Sequence, residues 1–160
     1  MVRPKSGMPD HVSACVLSAD QAVQLGTLAR AARSAAVYDL LEYQALQTFD
    51  ASGCTFAALE AISASPALAW RGDMPGVNQD ALREHCGIHI SLLCDARAGT
   101  RILQAMRGTD LRHEAALCSR AFCLDDEQSV ECCLLLLRDG AGAAVERDGI
   151  LLMYGWCMVS

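Results

Sequence analysis

This 160-residue chain lacks an apolar run that could cross a bilayer: its longest, Cys132–Leu137, is six residues, where a spanning helix needs roughly 20. No membrane insertion is therefore expected. The opening MVRPKSGMPD has no apolar core, so no secretory signal is read there. Lysine is almost missing, with Lys5 standing alone beside twelve arginines. Those arginines form no stripe or cluster, which disfavours nucleic acid and anionic membrane as partners. Residues 108–148 carry nine acids against four arginines, and the whole chain has a formal charge of -6. Also absent are any C-x-x-C pair, phosphate loop, G-x-G-x-x-G or G-x-S-x-G. The sequence names no catalytic residue, no metal site and no cofactor.

What is present is apolar. Such residues make up 52% of the chain, and mean hydropathy is +0.22. That excess fits either a full core or an apolar surface covered by a partner or a second copy. Nine cysteines occur, an odd count at irregular spacing. Most sit in Leu/Ala/Phe-rich segments, where a free thiol behaves as a small hydrophobe. They read as buried apolar residues of a protein in a reducing, cytoplasmic setting rather than as disulfides. Only Cys94, ahead of a helix start at Asp95, is positioned for activation, and the neighbouring carboxylate opposes it. Glu84-His85-Cys86-x-x-His89 has metal-ligand chemistry, but Gly87 and the β-branched Ile88 and Ile90 break the shared helical face a site would need. Asp125-Asp126-Glu127 reads as a solvated turn.

Residues 1–14 read as a flexible leader and 15–160 as one domain. Ser18-Ala19-Asp20-Gln21 has capping-box form, with Leu17 as a staple. The helix it starts would bury Val23, Leu25, Leu28, Ala29 and Ala32, then resume through Val37, Leu40 and Leu41. ALQTFDASGCTFAALE reads as a hairpin about Asp50–Gly53. Residues 63–81 are irregular, with PALAW a short strand. Ile88, Ile90, Leu92 and Leu93 mark a strand, and Asp95 caps a helix through Ile102, Leu103 and Met106 that ends at Gly108. Ala116–Leu124 and SVECCLLLL pair as a second hairpin across DDEQ. The final segment, with Val145, Leu152, Trp156 and Val159 at helical spacing, is taken as helix, although Gly149 and Gly155 disfavour it and RDG could be a turn. The sum is an α+β fold, ordered helix–three strands–helix–two strands–helix, with a twisted antiparallel sheet packed by helices.

LQTFDASGCTF, ILQAM and RAFCLDDEQSVECCLLLL, in that order, resemble the first hairpin, second helix and second hairpin of the class I type III secretion chaperones (the Tir-chaperone, CesT-like family). The resemblance implies a non-catalytic homodimer that binds the N-terminal segment of a secreted effector and keeps it export-competent. Its candidate effector-binding residues are Leu25, Leu28, Leu46, Phe49, Phe56 and Leu124, and its candidate dimer contacts are Ile102, Leu103 and Met106. Two other readings compete. LLEYQALQTF and FAALEAI can be helical, as in an all-α viral Bcl-2-like interaction module, and nine thiols beside four histidines allow a small thiol hydrolase.

Overall fold

The computed structural model describes residue 9, residues 11–64 and residues 77–157. Residues 1–8 of the expected leader and the PALAW strand lie outside the described residues. β1 (His11–Leu17) crosses the expected domain boundary, taking its first residues from the expected leader.

The fold is α+β, with helices packed on a four-stranded antiparallel sheet of order β2-β1-β4-β3. Its strands are β1, β2 (Gln47–Phe49), β3 (Ile88–Cys94) and β4 (Ile150–Trp156). The helices are α1 (Ala19–Arg30), α2 (Ser34–Asp39), α3 (Phe56–Ser63), α4 (Gln79–Cys86), α5 (Ala96–Met106), α6 (Leu111–Ala121) and α7 (Glu127–Arg147), and a π-helical turn, Leu40–Gln44, follows α2. With a sheet at its centre, the chain does not take the all-α alternative.

Both faces of the sheet are covered. On one, Ala14, Val16, Leu92, Cys94, Leu151 and Met153 pack with α3, α5, α6 and α7. On the other, Cys15, Leu17, Ile88, Leu93, Leu152 and Tyr154 pack with α1, α2, the π-helical turn and α4. An irregularity between Ile90 and Leu92 lets β3 serve both cores. Ile88 faces the second core, and the extra residue shifts the alternation so that Cys94 faces the first.

Several elements follow their local signals. Ser18 Oγ accepts from the Gln21 amide at 3.1 Å while Gln21 Oε1 accepts from the Ser18 amide at 3.0 Å, closing the capping box. Asp95 caps α5, its Oδ1 accepting from Ala98 N at 2.8 Å, and Gly108 takes the expected left-handed conformation. The buried stripe of α1 is Ala22, Leu25, Gly26 and Ala29, whereas Val23 is exposed.

Four local expectations are corrected. The Asp50 turn forms, with Asp50 Oδ1 accepting from Ser52 N at 3.0 Å, but Thr55 then caps α3 instead of opening a strand. Leu46–Phe56 is therefore not a hairpin. Ala116–Leu124 lies mostly in α6, and SVECCLLLL forms the first half of α7, whose Val130, Cys133, Leu134, Leu137, Ala141 and Ala144 repeat at helical spacing toward the sheet. Of the final segment, residues 141–147 are helical as expected and end α7, and Val159 lies outside the described residues. Ile150–Trp156, however, form β4, a central strand whose Ile150–Tyr154 are all buried because both faces are covered. Both stretches likened to chaperone hairpins thus fold otherwise, and the element order differs from the expected one.

Candidate functional site

β1 is seven residues long, but β2 covers only Ala14–Val16 of it. The chain leaves the sheet at Asp50, where the side-chain-closed turn carries it away. On their other side His11–Ser13 pair with Tyr154–Trp156 of β4. Toward β2 they pair with no strand among the described residues. The Val16 carbonyl accepts from Leu46 N at 2.9 Å on that side. The two-residue alternation of strand hydrogen bonding therefore aims the Val12 N–H and C=O into the gap. Among the described residues this leaves a short open edge, the kind of backbone that templates a further strand.

Next to this gap lies a cleft of about 190 Å³ lined by Ser13, Leu41, Glu42, Thr48, Phe49 and Tyr154. Strand alternation sets Ser13, Thr48 and Tyr154 on one sheet face, since Ser13 pairs with Tyr154 and Thr48 with Cys15. Trp156 Nε1 donates to Ser13 Oγ at 3.0 Å, and its ring stacks on His11 with centroids 4.3 Å apart. Glu42 comes from the π-helical turn, a wound-out geometry that often re-aims a side chain at functional positions. That turn is held by Gln21, whose Nε2 donates to the Gln44 carbonyl at 2.7 Å. Burial, then the Cys15 and Glu42 charges, push the Tyr154 phenol well above its ordinary range. The hydroxyl therefore stays protonated, buried in hydrogen-bonding contact with Ser13. The site offers hydroxyls and a carboxylate, the chemistry to hold a polar or cationic side chain. Near it are two exposed apolar residues, Tyr43 (83%) and Leu46 (39%).

A second grouping involves thiols. Cys54 lies in the loop between β2 and α3, and Cys132 and Cys133 lie in α7. The Cys54 and Cys133 thiols are in hydrogen-bonding contact, which holds the Cys54 thiol below the ordinary thiol range and pushes that of Cys133 well above it. Cys133 Sγ also donates to the Thr55 carbonyl at 3.9 Å. The Cys132 thiol lies against Gly53, where an added Cβ would stand 2.8 Å from Cys132 Sγ. Ser129 ties the same loop to α7: its Oγ accepts from Thr55 N at 2.8 Å and donates to Thr55 Oγ1 at 3.0 Å.

Cys94, the thiol that its helix-start position singled out, is fully buried. Burial, then Asp95, push it up to about 12. The helix N-terminus does not win there, and the thiol with a favoured thiolate is Cys54. The expectation that Cys54, Cys118, Cys123, Cys132 and Cys133 are strand residues is also corrected: Cys118, Cys132 and Cys133 are helical, while Cys54 and Cys123 are in loops. His85 sits at the end of α4 and His89 in β3, so the two share no helical face.

The candidate effector-binding residues divide between the two cores. Leu25 is sealed on the α1 side with Leu28 half-buried beside it. Phe56 is buried on the α7 side, where Phe49 and Leu124 pack partly covered. Only Leu46 is exposed. Phe49 ends β2 beside the open edge, Leu46 precedes β2 at its far end opposite Val16, and the others do not join them. Of the candidate dimer contacts, Ile102 and Met106 are buried within the chain and Leu103 is half-buried. Sequence reasoning missed Ser13, Thr48 and Tyr154, which strand register brings together, and Glu42, which the π-helical turn adds. No family model, curated protein or solved structure matches this chain.

Proposed function

We propose that this chain is a non-catalytic, cytoplasmic, protein-binding chaperone that seats an extended segment of its client beside β1, in the line that β2 leaves at Phe49. The His11–Ser13 edge, which pairs with no strand toward β2 among the described residues, carries this reading. A client backbone would take the Val12 N–H and C=O, and its alternate side chains would enter the cleft of Ser13, Glu42, Thr48 and Tyr154. Glu42 favours a lysine or arginine there, and the net charge of -6 favours a basic client overall. Phe49 and Tyr43 supply apolar contact. The edge supports the coarser half of the reading, protein binding; a type III effector as the client is drawn from the sequence resemblance. A homodimer belongs to the same reading, and Leu103 is the member of its expected contact with surface left to give.

The test is selection of binders from a displayed library of random peptides about twelve residues long, followed by hydrogen exchange. Selected peptides should slow exchange of the Val12 amide, and Thr48→Arg, which fills the cleft, should weaken them at least tenfold, about 1.4 kcal/mol. Binders that ignore Thr48→Arg and protect another segment would overturn the placement. Light scattering on the same preparation reads the dimer, and a strict 17.1 kDa species would remove it.

A further inference from the structure

The three thiols around residues 53–55 bear no relation to client binding, and their arrangement has a chemistry of its own. Cys54 is half-buried, while Cys133, sealed in the core of α7, reaches the same loop: its Sγ donates to the Thr55 carbonyl at 3.9 Å and hydrogen-bonds with the Cys54 thiol. Two thiols in contact, one reachable and one not, are the parts of a peroxide-oxidised pair: an attacking sulfur and a resolving sulfur. Nothing local pairs them, since they are 79 positions apart, and the Ser129–Thr55 hydrogen bonds hold them together.

We propose that Cys54 is a site of oxidation by hydroperoxides, and that Cys133 resolves it to a disulfide fastening the 50–55 loop to α7. In the first step the Cys54 thiolate attacks a peroxide oxygen. The O–O bond breaks, sulfur gives up two electrons, and Cys54 becomes a sulfenic acid as hydroxide leaves from hydrogen peroxide, or alkoxide from an organic hydroperoxide. In the second step the Cys133 sulfur attacks the Cys54 sulfur. The S–O bond breaks, the Cys133 proton goes to the departing oxygen, and water leaves as the disulfide forms. The thiol–thiol contact favours the first step, because the Cys133 S–H stabilises the Cys54 thiolate. It also removes an obstacle to the second, because the Cys54 negative charge that helps keep Cys133 protonated is gone once Cys54 is a neutral sulfenic acid. Cys132, turned onto Gly53, is the neighbour that does not resolve.

The full chain, fully reduced, is exposed to near-stoichiometric hydrogen peroxide, alkylated and digested with trypsin. Cys54 falls in the peptide of residues 34–71 as its only cysteine, and Cys133 in the peptide of residues 121–138 with Cys123 and Cys132. The expected product is these two peptides joined, with Cys54 consumed at least tenfold faster than the exposed Cys123. Cys132→Ala should keep the linkage and Cys133→Ala should abolish it, leaving Cys54 as a sulfenic acid trapped by dimedone. Should Cys133→Ala not fold, fragmentation of the wild-type product assigns the linked sulfur directly. A linkage mapped to Cys132 or Cys123, or a Cys54 oxidised no faster than Cys123, would overturn the proposal.

Discussion

Ser129 and Ser119 are the two buried polar side chains among the described residues, and each is satisfied. Ser119 Oγ donates to the Leu124 carbonyl at 2.7 Å, closing the end of α6. Ser129 does more, because it joins the start of α7 to the cap of α3 through both the amide and the hydroxyl of Thr55. Removing it strands a partly buried amide. Ser129→Ala should therefore lower unfolding free energy by about 1–3 kcal/mol, whereas Ser52→Ala, on an exposed turn, should stay within about 0.5 kcal/mol. Urea denaturation of the two variants checks the contrast, and equal midpoints would deny Ser129 this role. The sequence carries a signal for Thr55 as a cap but none for its bond to a residue 74 positions away. The thiol cluster is hidden for the same reason: Cys54 and Cys133 each read as ordinary small apolar residues, and only packing gives one of them a hydrogen-bond donor.

Elements with closed local hydrogen bonds were legible in the sequence. Ser18 and Asp95 start helices because their side chains reach amides three residues ahead. Apolar runs were not, since a continuous one suits a buried strand or a buried helix equally. CCLLLL lies in α7 and ILLMY in β4, the reverse of the sequence expectation. Glycines settle these placements. At Gly149, leading into β4, an added Cβ would stand 2.6 Å from Val16 Cγ1 and 2.9 Å from the Leu17 carbonyl oxygen, and backbone cannot give way. Gly149→Ala should cost about 1–3 kcal/mol by overpacking. Gly142→Ala, in α7 with nothing within 4 Å of the new Cβ, should instead be neutral or stabilise by up to about 1 kcal/mol. Melting temperatures of opposite sign are expected, and a harmless Gly149→Ala would contradict the close approach of β4 to β1.

At the scale of the whole molecule, the high apolar content goes into two cores, one on each side of the sheet. Most of the expected effector-binding residues are drawn into these cores, and Leu46 stays exposed. The double core also sets a pH limit. Cys15 and Cys94 are both pushed from 9.0 up to about 12, chiefly by burial, with Glu42 and Asp95 adding to it. A raised folded value means that the thiols contribute their full stability below 9.0. That contribution falls as pH rises from 9.0 to about 12, where the unfolded chain ionises and the folded one does not. Tyr154 acts in the same direction. Stability should thus drop steeply across this window, and Cys94→Ala should flatten the drop relative to its own value at neutral pH. An unchanged slope in denaturation series at pH 8 and about pH 10.5 would show that Cys94 does not control it.

The amino-acid sequence by itself determined the α+β class, the capped starts of α1 and α5, the β3 strand and the turn at Asp50. Each of these rests on interactions within a few residues or on composition. Tertiary structure decided which apolar run became the central strand, how far β2 covers β1, and which cysteine meets which. Those outcomes depend on contacts between segments dozens of positions apart. The Cys54–Cys133 pair and the His11–Ser13 edge, which pairs with no strand toward β2 among the described residues, both follow from such contacts.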